Sequence, residues 1–185
     1  MKTILGNNKT AAAITALAVI LSVAFGAGRG LGKLRTETYN IFFTGVDNDN
    51  ISIENDMRAR IDISYNLASV ADKYLDGGGK KAVESLLSAR DGLLDAETIP
   101  QKYRANLELT MAESDLYEIM KETEMSERDA NYRESLHSSL VSRNNTIEYD
   151  IRIYVSKAEE FNNRLNAFPG LLARIFGLVK PLDVV

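Results

Sequence analysis

One histidine and its acidic neighbour are the residues of this chain best suited to acid–base or metal chemistry. His137 follows Glu134 by three residues, a spacing that puts a carboxylate and an imidazole on one helix face. A di-iron site in a helical bundle needs a second Glu-x-x-His pair, and the chain has only one His. Ser135, Ser138 and Ser139 flank the imidazole without the glycines of a nucleophile elbow. We therefore predict that the protein is not an enzyme and that it has no catalytic residue, metal site or cofactor.

The overall composition excludes several other classes of protein. The 185 residues, 45% hydrophobic and 26% charged, are enough for one modest domain. The absence of Cys excludes disulfide scaffolds, thiol nucleophiles and Cys-based zinc sites. A net charge of -4 argues against a nucleic-acid partner, because nucleic-acid binding needs a basic face.

An uncharged apolar stretch covers residues 11–27. At about 1.5 Å per residue it spans roughly 26 Å as a helix, close to the hydrocarbon thickness of about 30 Å. We predict a short head at 1–10, a transmembrane helix at 11–27 and a flexible Gly-rich juxtamembrane segment at 28–50. The alternative is a secretory signal peptide, for which Ala24, Phe25 and Gly26 would form a cleavage site.

Basic residues flank this stretch unevenly. Lys2 and Lys9 precede it, whereas Arg29, Lys33 and Arg35 follow it. The small excess on the C-terminal side favours a cytoplasmic location for the rest of the chain. Residues 1–46 sum to +4 and the remainder to -8, so a basic collar with an acidic body is expected beside an anionic membrane surface.

The remaining chain is predicted to be all-α, an antiparallel four-helix bundle-like body at 51–168. No Gly lies between Leu93 and Phe168, and apolar residues recur at steps of three and four. We expect helices near 53–74, 80–94, 100–119 and 136–168, the first capped by Asp49 or Asn50. The apolar face of the third is assigned to Tyr103, Leu107, Leu109, Met111, Ala112, Leu116, Tyr117 and Ile119. An apolar tail at 169–185 is predicted to cap the bundle, with a position in the membrane interface as the alternative.

The last of these helices carries a coiled-coil seam. Its positions follow alternating steps of four and three, and they are Leu136, Leu140, Asn144, Ile147, Ile151, Tyr154, Ala158, Phe161, Leu165 and Phe168. Asn144 is the one amide in the seam. We interpret it as a core residue that fixes the helix register or bonds to water, with a ligand contact as the alternative.

Several motifs together resemble those of the LemA family. They are Tyr39-Asn40 after the apolar stretch, Met57 to Asp62, Asn66-Leu67, Ala89-Arg90, Asn145-x-Ile147, Tyr154, Phe161 to Pro169, Leu172-Ala173 and Ile175-Phe176-Gly177. The resemblance covers most of residues 10–178 and is that of a divergent member. It implies a membrane-anchored helical bundle with its short N-terminus outside and its body in the cytoplasm. Asn144 and three motif residues, Asn145, Tyr154 and Asn162, are our candidate polar core or partner positions.

These observations predict a single-pass protein of the cell membrane that acts as a scaffold or adaptor. Its partners would be the lipid bilayer and an unknown protein, for which a second copy of the chain is one candidate. Tethering raises local concentration, so weak contacts between helix faces would suffice. The alternative function is that of a cleaved, exported helical bundle that binds a ligand or an envelope component.

Overall fold

The computed structural model describes residues 8–45 and 52–185. The regular structure in these two ranges is helical throughout, which confirms the predicted all-α class. The helices are α1 (Asn8–Thr44), α2 (Ile53–Ala71), α3 (Gly77–Asp95), α4 (Ile99–Lys121), α5 (Glu127–Asn166) and α6 (Gly170–Ile175).

Contacts divide the described chain into two units. The first unit contains residues 8–39 and 156–182, and the second contains 40–45, 52–155 and 183–185. Because α1 and α5 are long, each contributes residues to both units. In the second unit α3 packs against α2 and α4.

The starts of α2 and α4 are fixed by side-chain caps. The hydroxyl of Ser52 accepts a hydrogen bond from the Asn55 N–H at 3.2 Å and caps α2. The residues predicted for this cap, Asp49 and Asn50, lie outside the described ranges. Thr98 and Gln101 form a reciprocal capping box at the start of α4. Each cap satisfies backbone N–H groups that have no partner within the helix.

The first helix is longer than the sequence predicted. Residues 28–44 continue α1 instead of forming a flexible exit from the apolar stretch. Glycine inside a helix costs about 1 kcal/mol relative to alanine, which is why the Gly-rich segment suggested a break. At Gly28 the absence of a side chain is used for packing, because an added Cβ would lie 3.1 Å from the Leu178 Cδ1 atom.

The seam of α5 is buried at each of its apolar positions from Leu136 to Leu165, as predicted. Phe168 was also assigned to the seam, and this was wrong, because its side chain is 77% exposed. The cause is the end of α5 at Asn166, which takes Phe168 out of the helical repeat.

The predicted apolar face of α4 was too wide. The side that is buried carries Ala105, Leu109, Ala112, Leu116 and Met120, whereas Leu107 is 41% exposed and Met111 is 69% exposed. Two residues along a helix correspond to a rotation of about 200°, so Leu107 and Leu109 cannot share one face. Ile119 is exposed as well.

Candidate functional site

A buried arginine lies between α2, α4 and α5 in the second unit. Arg60 has no exposed surface. Its Nη1 donates to Asn144 Oδ1 at 2.9 Å and to Asn106 Oδ1, and its Nη2 donates to Thr110 Oγ1 at 2.9 Å. Loss of hydration lowers the pKa of Arg60 to about 10, and the negative charges of Glu113 and Glu148 oppose that shift. The guanidinium therefore remains charged at neutral pH.

Asn144 is the common acceptor of this polar cluster. Besides the bond from Arg60, its Oδ1 lies 3.0 Å from Asn106 Nδ2 and 3.2 Å from Thr110 Oγ1. The Thr110 hydroxyl has one proton, and its shorter contact, 2.9 Å, is to the Asn106 carbonyl oxygen. Asn144 thus joins α5 to α2 and α4.

A second cluster of titratable groups joins α4 to α5. Glu113 is only 2% exposed, and its Oε1 lies 2.5 Å from His137 Nδ1. Burial raises the pKa of Glu113, while the hydrogen bond and charge of His137 act in the opposite direction. The Tyr117 ring stacks on the imidazole with centroids 3.5 Å apart, and its hydroxyl donates to Glu134 Oε2 at 2.7 Å.

The chemistry open to this second cluster is limited. An imidazole held by a buried carboxylate supplies two of the three members of a nucleophile–base–carboxylate arrangement, and the nucleophile is the missing member. Glu134 and His137 were expected on one face of a helix, and each bonds to a different residue of α4. Among residues 8–45 and 52–185, no group of three or more His, Asp or Glu side chains could hold a metal ion. The hydrogen bonds and the ring contact make the cluster a connection between two helices.

The other three predicted positions, Asn145, Tyr154 and Asn162, differ in burial and in their hydrogen-bond partners. Asn145 is exposed on α5. Tyr154 is buried, and its hydroxyl donates to the Asp183 carbonyl oxygen at 2.8 Å. In the first unit the Asn162 amide makes two 2.9 Å bonds with the backbone of Leu182. Tyr154 and Asn162 therefore hold the C-terminal residues, and the four predicted positions do not form one site.

Sequence reasoning missed Arg60, Asn106 and Thr110 of the first cluster and Glu113 of the second. A signal was present in the helical spacing. Arg60 lies between Met57 and Ile61 on the apolar side of α2, so an inward arginine could have been expected. Its partners lie 46 or more residues away along the chain, and their meeting depends on tertiary packing.

The surface of α1 is the most apolar in the described chain. An 18-residue window of α1 has a mean hydropathy of 2.1, and 11% of that window is buried. Ile14, Leu17, Val19, Ile20 and Phe25 are all exposed there, Leu17 to 56%. Among the described helices, α1 alone is long and apolar enough to cross a membrane.

Fold and surface together define an all-α protein with one candidate membrane-spanning helix. The LemA family model matches residues 50–182. The chain is therefore a member of the LemA family, as its motifs suggested. Comparisons with curated proteins and with solved structures gave no match. The LemA family is not known as an enzyme family.

Proposed function

We propose that this LemA-family protein is anchored in the cell membrane by α1 and acts there, without catalysis, as a scaffold for a protein partner. The observation that carries the proposal is the exposed apolar surface of α1. Keeping a large aliphatic side chain in water costs about 1.5–3 kcal/mol relative to burial, and a hydrocarbon environment removes that cost. The lipid bilayer is then the first partner of the chain.

Retention of α1 is favoured over its removal. The cleavage site considered above, at Ala24, Phe25 and Gly26, lies within the continuous helix. Ala24 is completely buried within the protein. Cleavage after Gly26 would remove this packed residue together with the apolar stretch.

Alkaline carbonate extraction of membranes tests the anchor. We expect the wild-type chain to stay in the membrane pellet. The double variant Leu17→Arg, Val19→Arg should move to the supernatant, because each arginine near the centre of a spanning helix costs about 2.5–3.5 kcal/mol. The matched control is Leu94→Arg, Met111→Arg, which changes two apolar residues outside α1 that are at least as exposed, and this variant should stay in the pellet.

Two outcomes would overturn the anchored form. Release of the wild-type chain by carbonate would show that α1 does not span the bilayer. A mature N-terminus near Ala27, measured by mass spectrometry, would instead support the exported bundle that binds a ligand or an envelope component.

The scaffold role is supported by unpartnered surface in the second unit. Leu107 and Met111 lie one turn apart on the exposed side of α4. Glu122, Glu124 and Glu127, around the turn between α4 and α5, are exposed acidic residues. A helix face that offers apolar contact and a nearby acidic turn suits a protein with a basic amphipathic segment, and confinement to a membrane strengthens a weak contact of this kind.

Photocrosslinking in intact cells tests this role. A photoreactive residue at Met111 or at Glu122 should capture a defined protein or a second copy of the chain. A photoreactive residue at Ser156, exposed on α5 in the first unit, serves as the comparison site. Capture that is absent at Met111 and Glu122, or equal at all three sites, would contradict a specific scaffold surface.

A further inference from the structure

The C-terminal segment 168–180 exposes an unusual amount of apolar surface. Phe168 and Ile175 are 77% and 69% exposed, and Leu171, Phe176 and Leu178 are exposed as well. The sequence predicted that the tail caps the bundle, with a position in the membrane interface as the alternative. In the structure these residues belong to the first unit, together with α1 and the end of α5. Five large apolar side chains in eleven residues form a patch of the kind that marks an interaction site.

Contacts hold the segment against α1 just beyond the apolar stretch. Gly28 lets Leu178 approach closely, since an added Cβ would lie 3.1 Å from its Cδ1. An added Cβ on Gly170 would lie 3.0 Å from Leu31 Cδ1, and Arg35 Nε donates to the Lys180 carbonyl oxygen at 3.0 Å. Because Gly28 follows the apolar residues 11–27 directly, a spanning α1 places the segment at the membrane surface.

The same unit has an excess of basic residues. Its described residues, 8–39 and 156–182, contain eight Lys or Arg and three Glu. All of these cations except Arg35 are exposed, and Arg29, Lys33, Arg174 and Lys180 lie on or beside the C-terminal segment and the adjoining part of α1. Exposed cations beside exposed aliphatic and aromatic side chains are the composition of a segment that lies in the interface of an anionic membrane.

We infer that residues 168–180 bind the membrane surface, with the apolar side chains at the boundary of headgroups and acyl chains and the cations on the phosphates of anionic phospholipids. The inference rests on the proposed anchoring by α1, and it adds a second contact with the same bilayer. Its physical basis is the continuity of the patch with the spanning surface and the complementarity of charge.

Tryptophan fluorescence of the full chain in vesicles can test the inference, because the chain contains no Trp. Phe176→Trp reports on the segment and Leu17→Trp reports on the spanning helix. Ser156→Trp is the control, exposed on α5 and about 15 Å along the helix from its end. Vesicles of phosphatidylcholine with phosphatidylglycerol carry bromine on the acyl chains, either close to the headgroup or near the bilayer centre.

The expected pattern separates the two membrane contacts. The emission of Phe176→Trp should be blue-shifted, and bromine close to the headgroup should quench it more strongly than bromine near the bilayer centre. The emission of Leu17→Trp should be quenched more strongly by bromine near the centre. The emission of Ser156→Trp should not be quenched by either. Replacing Arg174 and Lys180 by Gln, or omitting phosphatidylglycerol, should weaken the quenching of Phe176→Trp and leave that of Leu17→Trp unchanged.

Each contrary result identifies the claim that fails. Quenching of Leu17→Trp without quenching of Phe176→Trp would overturn the surface contact and leave the anchor standing. Absence of quenching at Leu17→Trp would overturn the anchor. Equal quenching of Phe176→Trp and Ser156→Trp would show that membrane-surface binding is not specific to residues 168–180. If neither the Gln substitutions nor the omission of phosphatidylglycerol changed the quenching of Phe176→Trp, the role of anionic lipid would be overturned.

Discussion

Arg60 retains its charge in an interior where hydration is replaced by three side-chain oxygens, from Asn106, Thr110 and Asn144. Burying an ion costs several kcal/mol unless geometry and further hydrogen bonds compensate. Its Nε is buried without a partner, so the compensation is incomplete. We expect this cluster to contribute more to the choice of one helix register than to stability, because replacing a buried ionic group and its partners by apolar residues of similar volume often leaves stability unchanged or raises it.

Substitution of Asn144 tests how much its hydrogen bonds compensate for the burial of Arg60. Asn144→Ala removes one of the two side-chain acceptors of Arg60 Nη1 and leaves one of its buried N–H groups without a partner, so the free energy of unfolding should fall by about 1–3 kcal/mol. Asn145→Ala, at the exposed neighbouring position, should change it by less than about 0.5 kcal/mol. Chemical denaturation in detergent micelles measures both, and equal effects would show that the cluster does not join the helices.

Glu113 makes stability depend on pH. Burial raises its pKa above the usual 4.5, so the folded protein binds this proton more tightly than the unfolded chain does. Stability from this group is complete below 4.5 and is lost as the pH rises through the raised pKa. Glu113→Gln cannot ionise, so its Tm relative to wild type should increase as the pH rises from 4.5 towards neutrality.

Thermal unfolding followed by circular dichroism at several pH values measures this difference. Ser114→Ala is the control, because it alters the adjacent exposed position without adding or removing a titratable group. A Tm difference for Glu113→Gln that is constant or that decreases with pH would be incompatible with a raised pKa in the folded state.

At the scale of elements, the sequence predicted the order of the helices of the body, but it placed the start of α5 at 136 instead of Glu127 and did not predict the continuation of α1. The seam of α5 could be recognised because ten positions follow the alternating spacing of four and three residues. The capping box at the start of α4 depends only on Thr98 and Gln101, which are three residues apart. The continuation of α1 was hidden because its support comes from Leu178 and Lys180, about 150 residues away. The partners of Arg60 were missed for the same reason, since periodicity identifies the buried face of one helix but not the residues of other helices that pack against that face.

The glycines of α1 and of the C-terminal segment allow a direct test of these element boundaries. Gly30 lies in α1 with open space around it, so Gly30→Ala should stabilise the helix by roughly 0.5–1 kcal/mol. Gly170→Ala should destabilise the first unit, because the new Cβ would lie 2.3 Å from the Arg164 carbonyl oxygen.

Hydrogen exchange measured by mass spectrometry on peptides covering residues 28–36 distinguishes the two expectations. Protection should rise in Gly30→Ala and fall in Gly170→Ala. If the segment were instead the flexible exit suggested by its composition, these amides would exchange rapidly in the wild type and neither substitution would alter them.

At the scale of the whole molecule, charge and anchor determine orientation together. Sequence alone counts two basic residues before the apolar stretch and three after it, a weak bias. The fold strengthens that bias, because Arg35 contacts the backbone of Lys180 and so brings the basic C-terminal segment to the same end of α1. We therefore expect the end of α1 that carries Arg29, Lys33 and Arg35 to face the cytoplasm.

Single cysteines can measure this orientation without background, because the chain contains no Cys. A membrane-impermeant maleimide added to intact cells should label Asn8→Cys, at the exposed start of α1, and should label Ser114→Cys only after permeabilisation. Neutralising Arg29, Lys33 and Arg35 with Gln should allow a fraction of Ser114→Cys to be labelled from outside, since retention of cations on the cytoplasmic side is the force that sets the orientation. Labelling of Ser114→Cys in intact cells, with Arg29, Lys33 and Arg35 unchanged, would place the helical body outside the cytoplasm. The partner of the scaffold would then also have to lie outside the cytoplasm.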